Sequence, residues 1–165
     1  MIYNISMVIF INGSINAGKS TVAKLLSQKI GNAVVLEIDT LRDMIPQVPL
    51  EEAIPINLKN AVSLIRNFKQ AGFSVIVPYP LSQKNFDFLK GELGRDFEGC
   101  RFFTLSPTLE TAAADRGERK LNDWEKERVK HHYSTGINKP DFGEIIDNTN
   151  QTPEETANLI LKSLS

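Results

Sequence analysis

A glycine-rich segment near the N-terminus constrains the fold more than any other part of the chain. An unbroken apolar run precedes this segment at 7–11, and apolar residues at helical spacing follow it over 22–30. A buried strand, a loop and a helix are therefore predicted in succession, which is the context that the pattern G-x-x-x-x-G-K-[ST] requires. An ordinary glycine turn before a helix is the alternative. The residues that fit the pattern, with the one that follows, are Gly13, Ser14, Ile15, Asn16, Ala17, Gly18, Lys19, Ser20 and Thr21.

The residue types in segment 13–21 predict a site for a nucleoside triphosphate. Gly13 and Gly18 permit backbone angles and close approaches that side chains forbid. The amides from about 16 to 20 are expected to converge on an anion at the positive end of the helix. Lys19 is expected to reach the β- and γ-phosphates of ATP, and the Ser20 hydroxyl is expected to ligate Mg²⁺. Thr21 is expected to lie near the α-phosphate.

Composition narrows the class of protein and its partners. The chain has 165 residues, with 19 basic and 20 acidic side chains and a net charge of −1. This size predicts one domain, and the charge gives no general electrostatic footprint for nucleic acid, although a local basic groove stays possible in principle. One cysteine, Cys100, excludes an intramolecular disulfide and suits a reducing cytoplasm. The sequence predicts no signal peptide and no membrane span, and it leaves the oligomeric state open.

Alternating apolar strands and amphipathic helices predict an α/β protein with a parallel sheet. The second strand is expected to end at Asp39, and 46–55 is expected to be a surface excursion between helices. A helix with Ser106 as its N-cap is expected to continue through Ala114, and 115–133 is expected to be a solvated helical arm. Thr152 opens a capping box for the last helix. The predicted strands are 7–11, 33–38, 73–77, 101–105 and 144–146.

Asp39 and Arg42 form a second candidate site. An acid at the carboxyl end of the strand after the first helix would face the γ-phosphate across a cleft, where it could accept the proton of an acceptor hydroxyl. Arg42 lies one helical turn further on the same face, where it could bind an anionic acceptor group or orient Asp39. The alternative is that Asp39 caps a short helix while Arg42 is solvated.

Arg116 and Arg119 are candidate lid residues. Phosphoryl transfer needs cations over the γ-phosphate, and kinases often deliver them on a mobile segment that excludes water. The two arginines begin the charged segment and have a glycine between them. We predict that they are catalytic residues of a lid at about 115–135; the alternative is a solvated run of charges.

Together, segment 13–21, the Asp39–Arg42 pair, the Arg116–Arg119 pair and segment 146–149 resemble the small P-loop kinases. These include chloramphenicol phosphotransferase-like, shikimate-kinase-like and polynucleotide-kinase-like proteins, which are relatives of the nucleoside monophosphate kinases. The resemblance implies one P-loop kinase domain over 1–165, a three-layer P-loop NTPase sandwich with sheet order 2-3-1-4-5, and a helical lid. It also implies that Asp39 is the base, that a lid arginine contacts the transferred group, and that 148–152 flank the adenine.

The implied activity is transfer of the ATP γ-phosphate to a hydroxyl of a small-molecule acceptor bound near 40–60. A kinase for nucleic-acid 5′ ends or for nucleotides is the alternative. Many relatives carry an acid at the end of strand three, whereas this chain reads Val77-Pro78-Tyr79-Pro80. Mg²⁺ is therefore expected to depend on Ser20, phosphates and water, with Asp39 as a further candidate.

A GTPase switch is the rival from another class. Asn138-Lys139-Pro140-Asp141 fits the guanine motif N-K-x-D, and Asp96-Phe97-Glu98-Gly99 fits D-x-x-G. Neither segment follows a predicted buried strand, so we favour ATP. His131 and His132 are adjacent and would point in different directions on a helix, which argues against a metal site there.

Overall fold

The computed structural model describes residues 6–115 and 119–164. The strands are β1 (Val8–Gly13), β2 (Ala33–Val35), β3 (Ser74–Pro78), β4 (Cys100–Leu105) and β5 (Glu144–Ile146). The first helices are α1 (Lys19–Ile30), α2 (Ile38–Arg42), α3 (Leu50–Gln70) and α4 (Gln83–Leu93). A 3-10 helix at Gly94–Gly99 is followed by α5 (Leu109–Ala113), α6 (Asp123–Ser134) and α7 (Pro153–Ser163).

The described strands form one parallel sheet in the order β2-β3-β1-β4-β5, which confirms the predicted order. Strand β1 lies at its centre and is buried throughout. One face, carrying Phe10 and Val75, packs against α3 and α4; the other, carrying Ile9 and Phe103, packs against α1 and α7. The result is the predicted three-layer sandwich, in which every parallel strand ends at the same edge of the sheet.

The second strand is shorter than predicted. Leu36 N–H still bonds to Ile76 O at 2.8 Å, and the chain then turns into α2. Asp39 therefore lies in the first turn of α2 and not at the end of a strand. This placement keeps it at the carboxyl edge of the sheet and puts its carboxylate near a helix N-terminus.

The predicted surface excursion at 46–55 is wrong in its second half, because α3 begins at Leu50 and contains Pro55. Proline removes one helical hydrogen bond. Ala53 is fully buried and Ile54 packs against the core, so apolar burial offsets that loss.

The segment after β4 also differs from prediction. Helix α5 is short, and its N-cap is Thr108, whose hydroxyl accepts a hydrogen bond from Thr111 N–H, rather than Ser106. The predicted solvated arm is anchored: α6 begins with a capping box between Asn122 and Glu125 and buries Val129. A helix with so few apolar residues is held by its caps and by the few side chains that it buries.

The GTPase-like segments do not follow strands. Asp96 lies in the 3-10 helix before β4, where its carboxylate accepts a hydrogen bond from Arg66 Nε at 3.1 Å. Segment 138–141 precedes β5, and Asp141 is exposed. Phe142, which follows it, stacks on Phe86 in the core, with ring centroids 3.8 Å apart. These positions serve packing and surface ion pairing.

Asn12 joins three parts of the chain at the carboxyl edge of the sheet. This fully buried side chain donates hydrogen bonds to Thr104 Oγ1 at 3.0 Å and to Ile137 O at 3.1 Å. Its Oδ1 accepts one from Leu81 N–H at 2.7 Å. The amide nitrogen and the amide oxygen of Asn12 are thus both hydrogen-bonded, and these bonds hold the loops around the end of β1 in place.

We expect Asn12→Leu to lower the free energy of unfolding by about 3–5 kcal/mol, because it leaves Leu81 N–H and Ile137 O buried without partners. Thr104→Val removes a single partner from the same junction and should cost about 1 kcal/mol. Urea unfolding of both variants measures the difference. Equal, small losses would show that Asn12 does not fix this junction.

Candidate active site

The glycine-rich segment forms a loop at the carboxyl end of β1, and we call 13–20 the phosphate loop. Gly13 has φ 139°, and a Cβ there would lie 2.5 Å from Leu105 O. Gly18 has φ 95° and precedes α1. Asn16 adopts φ 63°, and its Nδ2 donates hydrogen bonds to Ala112 O at 3.0 Å and Ala114 O at 2.9 Å. Strand, loop and helix thus succeed one another as the sequence predicts.

A cavity of about 400 Å³ lies over the phosphate loop. It brings together the loop, Asp39 and Arg119, which are far apart in sequence. Ser14 and Ala17 are fully buried and shape the loop from beneath. The lining residues are Ile15, Asn16, Gly18, Lys19, Ser20, Thr21, Asp39, Arg119 and Pro153.

Lys19 supplies the positive charge of this cavity. Its Nζ donates a hydrogen bond to Ser14 O at 2.7 Å, so the ammonium lies over the loop. Burial lowers the pKa of Lys19 to about 8, against the opposing charges of Asp39 and Glu37, while Arg119 lowers it further. A partly dehydrated ammonium gains strongly from an anion brought close to it.

Asp39 faces the cavity from α2. Its side chain is accessible, yet the surrounding protein removes part of its hydration and raises its pKa, while Lys19 opposes that shift and Asp43 adds to it. Tyr79, just beyond β3, is buried, and burial together with the charge of Asp39 raises its pKa to about 12. The position just beyond β3 therefore presents a neutral phenol and not an acid.

Arg42 is engaged by the protein. Its Nη1 donates a hydrogen bond to Ile45 O at 2.5 Å, and its Nη2 donates to Val48 O at 2.7 Å and Pro46 O at 3.4 Å. These carbonyls belong to the connection between α2 and α3, which the guanidinium holds together. A role in acceptor binding stays a prediction, since Arg42 does not line the cavity.

The lid arginines lie in and beside the gap in the described chain. Arg119 lines the cavity and pairs with Glu125 Oε1 at 3.3 Å. Arg116 lies outside the described residues, so its predicted role stays a prediction. Arg128, on α6, is half-buried, and its Nε is buried without a hydrogen-bond partner among the described residues. Its charge opposes the rise in the pKa of Tyr79 and adds to the lowering of the pKa of His132, so Arg128 lies close to both residues, although it does not line the cavity.

His132 is a residue whose role the sequence did not reveal. It is 1% exposed, and its Nδ1 accepts a hydrogen bond from Ile15 N–H at 3.4 Å and lies 3.3 Å from Ser14 Oγ. Burial, followed by the charges of Arg128, Lys19 and His131, lowers its pKa to about 4, so the ring is neutral at pH 7. The available signal was its helical spacing from the apolar Val129, which places both on the buried face of α6.

Segment 147–149, which follows β5, contacts the phosphate loop and the start of α5. Asn148 Nδ2 donates a hydrogen bond to Ala17 O at 3.0 Å, which ties this segment to the phosphate loop. Thr149 Oγ1 accepts a hydrogen bond from Thr108 N–H at 3.0 Å and so links the same segment to α5. The expected contact of 148–152 with adenine stays a prediction.

Comparison with solved structures shows which known proteins share this fold. A sugar kinase from Janibacter sp. HTCC2649 is 19% identical over 97% of this chain and 95% of that one, with a TM-score of 0.73. The Mycobacterium tuberculosis APS kinase in complex with AMPPNP and APS is 18% identical over 96% and 97%, with a TM-score of 0.73. The chain has the P-loop kinase fold.

Two further comparisons bear on the relationship. The Deinococcus radiodurans tunicamycin resistance protein is 21% identical over 98% of this chain and 96% of that one, with a TM-score of 0.68. A sequence model of the Zeta toxin family matches residues 6–69, which include the phosphate loop and Asp39. No curated protein matches the sequence. The resemblance to P-loop kinases is thus confirmed for the fold.

Residues 6–115 and 119–164 lack two features, a cluster of metal-binding side chains and a membrane-spanning helix. They contain no group of three or more histidine, cysteine, aspartate or glutamate side chains placed to hold a metal ion. Their helices include none with the length and apolar character needed to cross a membrane.

The pKa of His132 makes stability depend on pH. The unfolded chain binds a proton as pH falls below about 6.5, whereas the folded chain does so only near pH 4. The free energy of unfolding should therefore fall by up to about 3 kcal/mol across this window because of His132 alone. His132→Gln keeps an acceptor for Ile15 N–H and should remove that dependence. His131→Gln, an exposed neighbour, should retain it.

Denaturant unfolding between pH 4.5 and 7.5 measures the two slopes. Identical pH slopes in the two variants would mean that His132 is not held neutral against the phosphate loop.

Proposed function

We propose that this protein is an ATP-dependent kinase that transfers the γ-phosphate to a hydroxyl group of a small-molecule acceptor. One observation carries the proposal: Asp39 and Arg119 line the same cavity as the phosphate loop. A carboxylate, two cations and converging amides are the groups that phosphoryl transfer requires around the γ-phosphate. The names of proteins with this fold, among them a sugar kinase and an APS kinase bound to AMPPNP, support the same chemistry.

Each residue of the site has its own part in the proposed reaction. The loop amides and Lys19 hold the triphosphate, and the acceptor oxygen approaches the γ-phosphorus from the side of Asp39. A bond forms between these two atoms while the bond from phosphorus to the β,γ-bridging oxygen breaks, so that ADP leaves with the electron pair. The acceptor proton passes to the Asp39 carboxylate, whose pKa burial raises, which makes it a stronger base than an ordinary carboxylate.

The cations act on the charge that the transferred group carries. Arg119 opens onto the cavity beside Lys19, and Arg128 presents a buried guanidinium edge from α6. Their positive charge is worth most where water is excluded. Arg116 stays a candidate for the same task.

The donor set fits Mg²⁺ in part. Ser20 lines the cavity and is exposed there, and Asp39 lies across from it. An oxygen ligand, a carboxylate and phosphate oxygens suit a hard cation that keeps several waters. When bound, Mg²⁺ would neutralise phosphate charge and orient the γ-phosphate. Ser20 would hold it, with Asp39 as the second protein oxygen.

The alternatives have less support. A GTPase reading needs guanine and switch motifs after strands, and segments 96–99 and 138–141 lie elsewhere. A kinase for nucleic acids or nucleotides would need free cations on the acceptor side, where Arg42 is already bonded to carbonyls. We place the reaction in the cytoplasm, where ATP is present and the lone thiol stays reduced.

If Asp39 is the base, Asp39→Asn should lower turnover by about 10²–10⁴-fold and leave ATP affinity nearly unchanged, since the amide keeps the shape but cannot accept the proton. Asp43→Asn removes the same charge from the next turn of the chain and is the matched control. Single-turnover ADP formation and calorimetric ATP titration separate the two effects. Equal activity in both variants would show that Asp39 is not the base and only occupies the first turn of α2.

Arg119→Ala should lower turnover far more than ATP affinity, on the order of 10³-fold, because its charge matters most as the phosphoryl group moves. Lys120→Ala removes the adjacent charge, which does not line the cavity, and should have little effect. Steady-state kinetics and ATP titration compare the pair. If Arg119→Ala lowers turnover no more than the control does, Arg119 does not stabilise the transferred phosphoryl group, and Arg116 or Arg128 becomes the candidate.

A further inference from the structure

Arg128 is a half-buried cation that forms no ion pair with any described residue. Its Nε is buried and has no hydrogen-bond partner among those residues. The carboxylates nearest to it along α6 are engaged elsewhere: Glu125 pairs with Arg119 at 3.3 Å, and Glu127 pairs with Lys130 at 2.6 Å. A partly dehydrated charge without a counter-ion destabilises the folded chain, and an anion bound to this guanidinium would offset that cost.

The guanidinium of Arg128 is open to a ligand at its outer end. The side chain is only half-buried, and its Nη1 and Nη2, which bond to no described residue, are not enclosed as Nε is. The ring of Trp124, one helical turn earlier, has its centroid 6.0 Å from Arg128 Cζ and is itself largely exposed. A guanidinium beside an aromatic ring keeps its nitrogens free for an oxyanion. The accessible part of Arg128 is therefore the part that recognises anions.

Helix α6 places Arg128 between the phosphate loop and the candidate base. His132, one turn further along the helix, contacts the loop with its Nδ1 3.4 Å from Ile15 N. Arg128 therefore lies about 6 Å along the helix axis from that contact. Its charge acts on the Tyr79 phenol, and so does the charge of Asp39, which places Tyr79 close to both. A small molecule whose hydroxyl reaches Asp39 can thus extend past Tyr79 to Arg128.

The triphosphate and the acceptor would use different cations. Lys19 and Arg119 line the cavity over the phosphate loop, whereas Arg128 lies outside that lining. Arg42, the cation of α2, donates hydrogen bonds to three backbone carbonyls. Arg128 is thus a cation that stays available to an acceptor bound beside Asp39. One guanidinium matches a single anionic group and not the row of phosphates along a nucleic acid.

We propose that the acceptor carries a carboxylate or a phosphate group besides its reacting hydroxyl, and that the Nη atoms of Arg128 bind this group. This inference rests on the proposed kinase function and deepens it, because it gives the chemical class of the acceptor. Asp39 receives the proton of the hydroxyl at one end of the molecule, and Arg128 holds the anionic group at the other. Repulsion from Asp39 and Asp43 disfavours the reversed orientation of the acceptor.

The first experiment follows the Nε–H group of Arg128 by NMR while AMPPNP and Mg²⁺ fill the phosphate loop. Because Nε is buried, its proton is protected from exchange with water and should give a distinct signal, which Arg128→Lys identifies by removing it. D-glycerate, glycerol 3-phosphate and glycerol are then added separately, since they share one carbon skeleton and differ in charge. We expect D-glycerate or glycerol 3-phosphate to shift the signal, which also tells carboxylate from phosphate, and glycerol to leave it in place.

Three results of this titration would overturn the inference. The signal could move with AMPPNP alone and no further with either anion, which would assign Arg128 to the nucleotide. It could move as far with glycerol as with the anions, or it could move with none of the probes. Calorimetry on the same sample measures AMPPNP binding: failure to bind would count against the kinase proposal, whereas bound AMPPNP with an unmoved Arg128 signal counts against this inference alone.

The second experiment compares Arg128→Gln with Lys126→Gln, which removes the same charge from an exposed position of α6. Both are titrated, with AMPPNP and Mg²⁺ present, with the anion that the unmodified protein binds more tightly. Arg128→Gln should weaken binding of that anion at least tenfold and leave AMPPNP affinity unchanged, and Lys126→Gln should alter neither. Urea should unfold Arg128→Gln at the same or a higher concentration, because an unpaired charge is removed. Lower stability with unchanged anion affinity would show that Arg128 only packs against Trp124, and would overturn the proposal.

Discussion

The structure around the phosphate loop depends on one constraint: the loop holds the buried positive charge of Lys19 and contains no acidic side chain that could neutralise it. Lys19 bonds to Ser14 O within the loop, and its pKa falls to about 8 because of burial. Because the loop has no acidic side chain, no ion pair within it stabilises Lys19. Hydrogen bonds from other segments must therefore hold the loop in place. Segments far away in sequence do this.

The supports of the loop come from three directions. Asn16 bonds to carbonyls in the last turn of α5 and just after it, Asn148 bonds to Ala17 O from the segment after β5, and His132 bonds to Ile15 N–H from α6. Each bond uses a buried amide or imidazole, whose removal would leave a backbone group unpaired. Two of these supports belong to the segments before and after Arg119, so the predicted lid segment is bonded to the phosphate loop on both sides of that arginine.

The sequence predicted what local patterns determine. Some predictions depend on neighbours a few residues apart or on a strong motif. These are the phosphate loop, the strand order implied by resemblance, the Thr152 capping box and the position of β5. The start of α3 was missed because Pro49 and Pro55 suggest a loop, and only burial of Ala53 against distant strands overrides them. The sequence could not predict the contact of His132 with the phosphate loop or the carbonyl contacts of Arg42, because folding alone brings these partners together.

Charge is divided across the cavity although the chain as a whole is close to neutral. Lys19 and Arg119 line the side of the phosphate loop and lid, whereas Asp39 faces them from α2, with Asp43 one turn behind it. A triphosphate would be attracted to the first wall and repelled by the second, which would hold it in one orientation. The charge of Asp43 adds to the rise that burial produces in the pKa of Asp39. Tyr79, just beyond β3, stays neutral because its pKa is raised, so in the proposed reaction it does not compete with Asp39 for the acceptor proton.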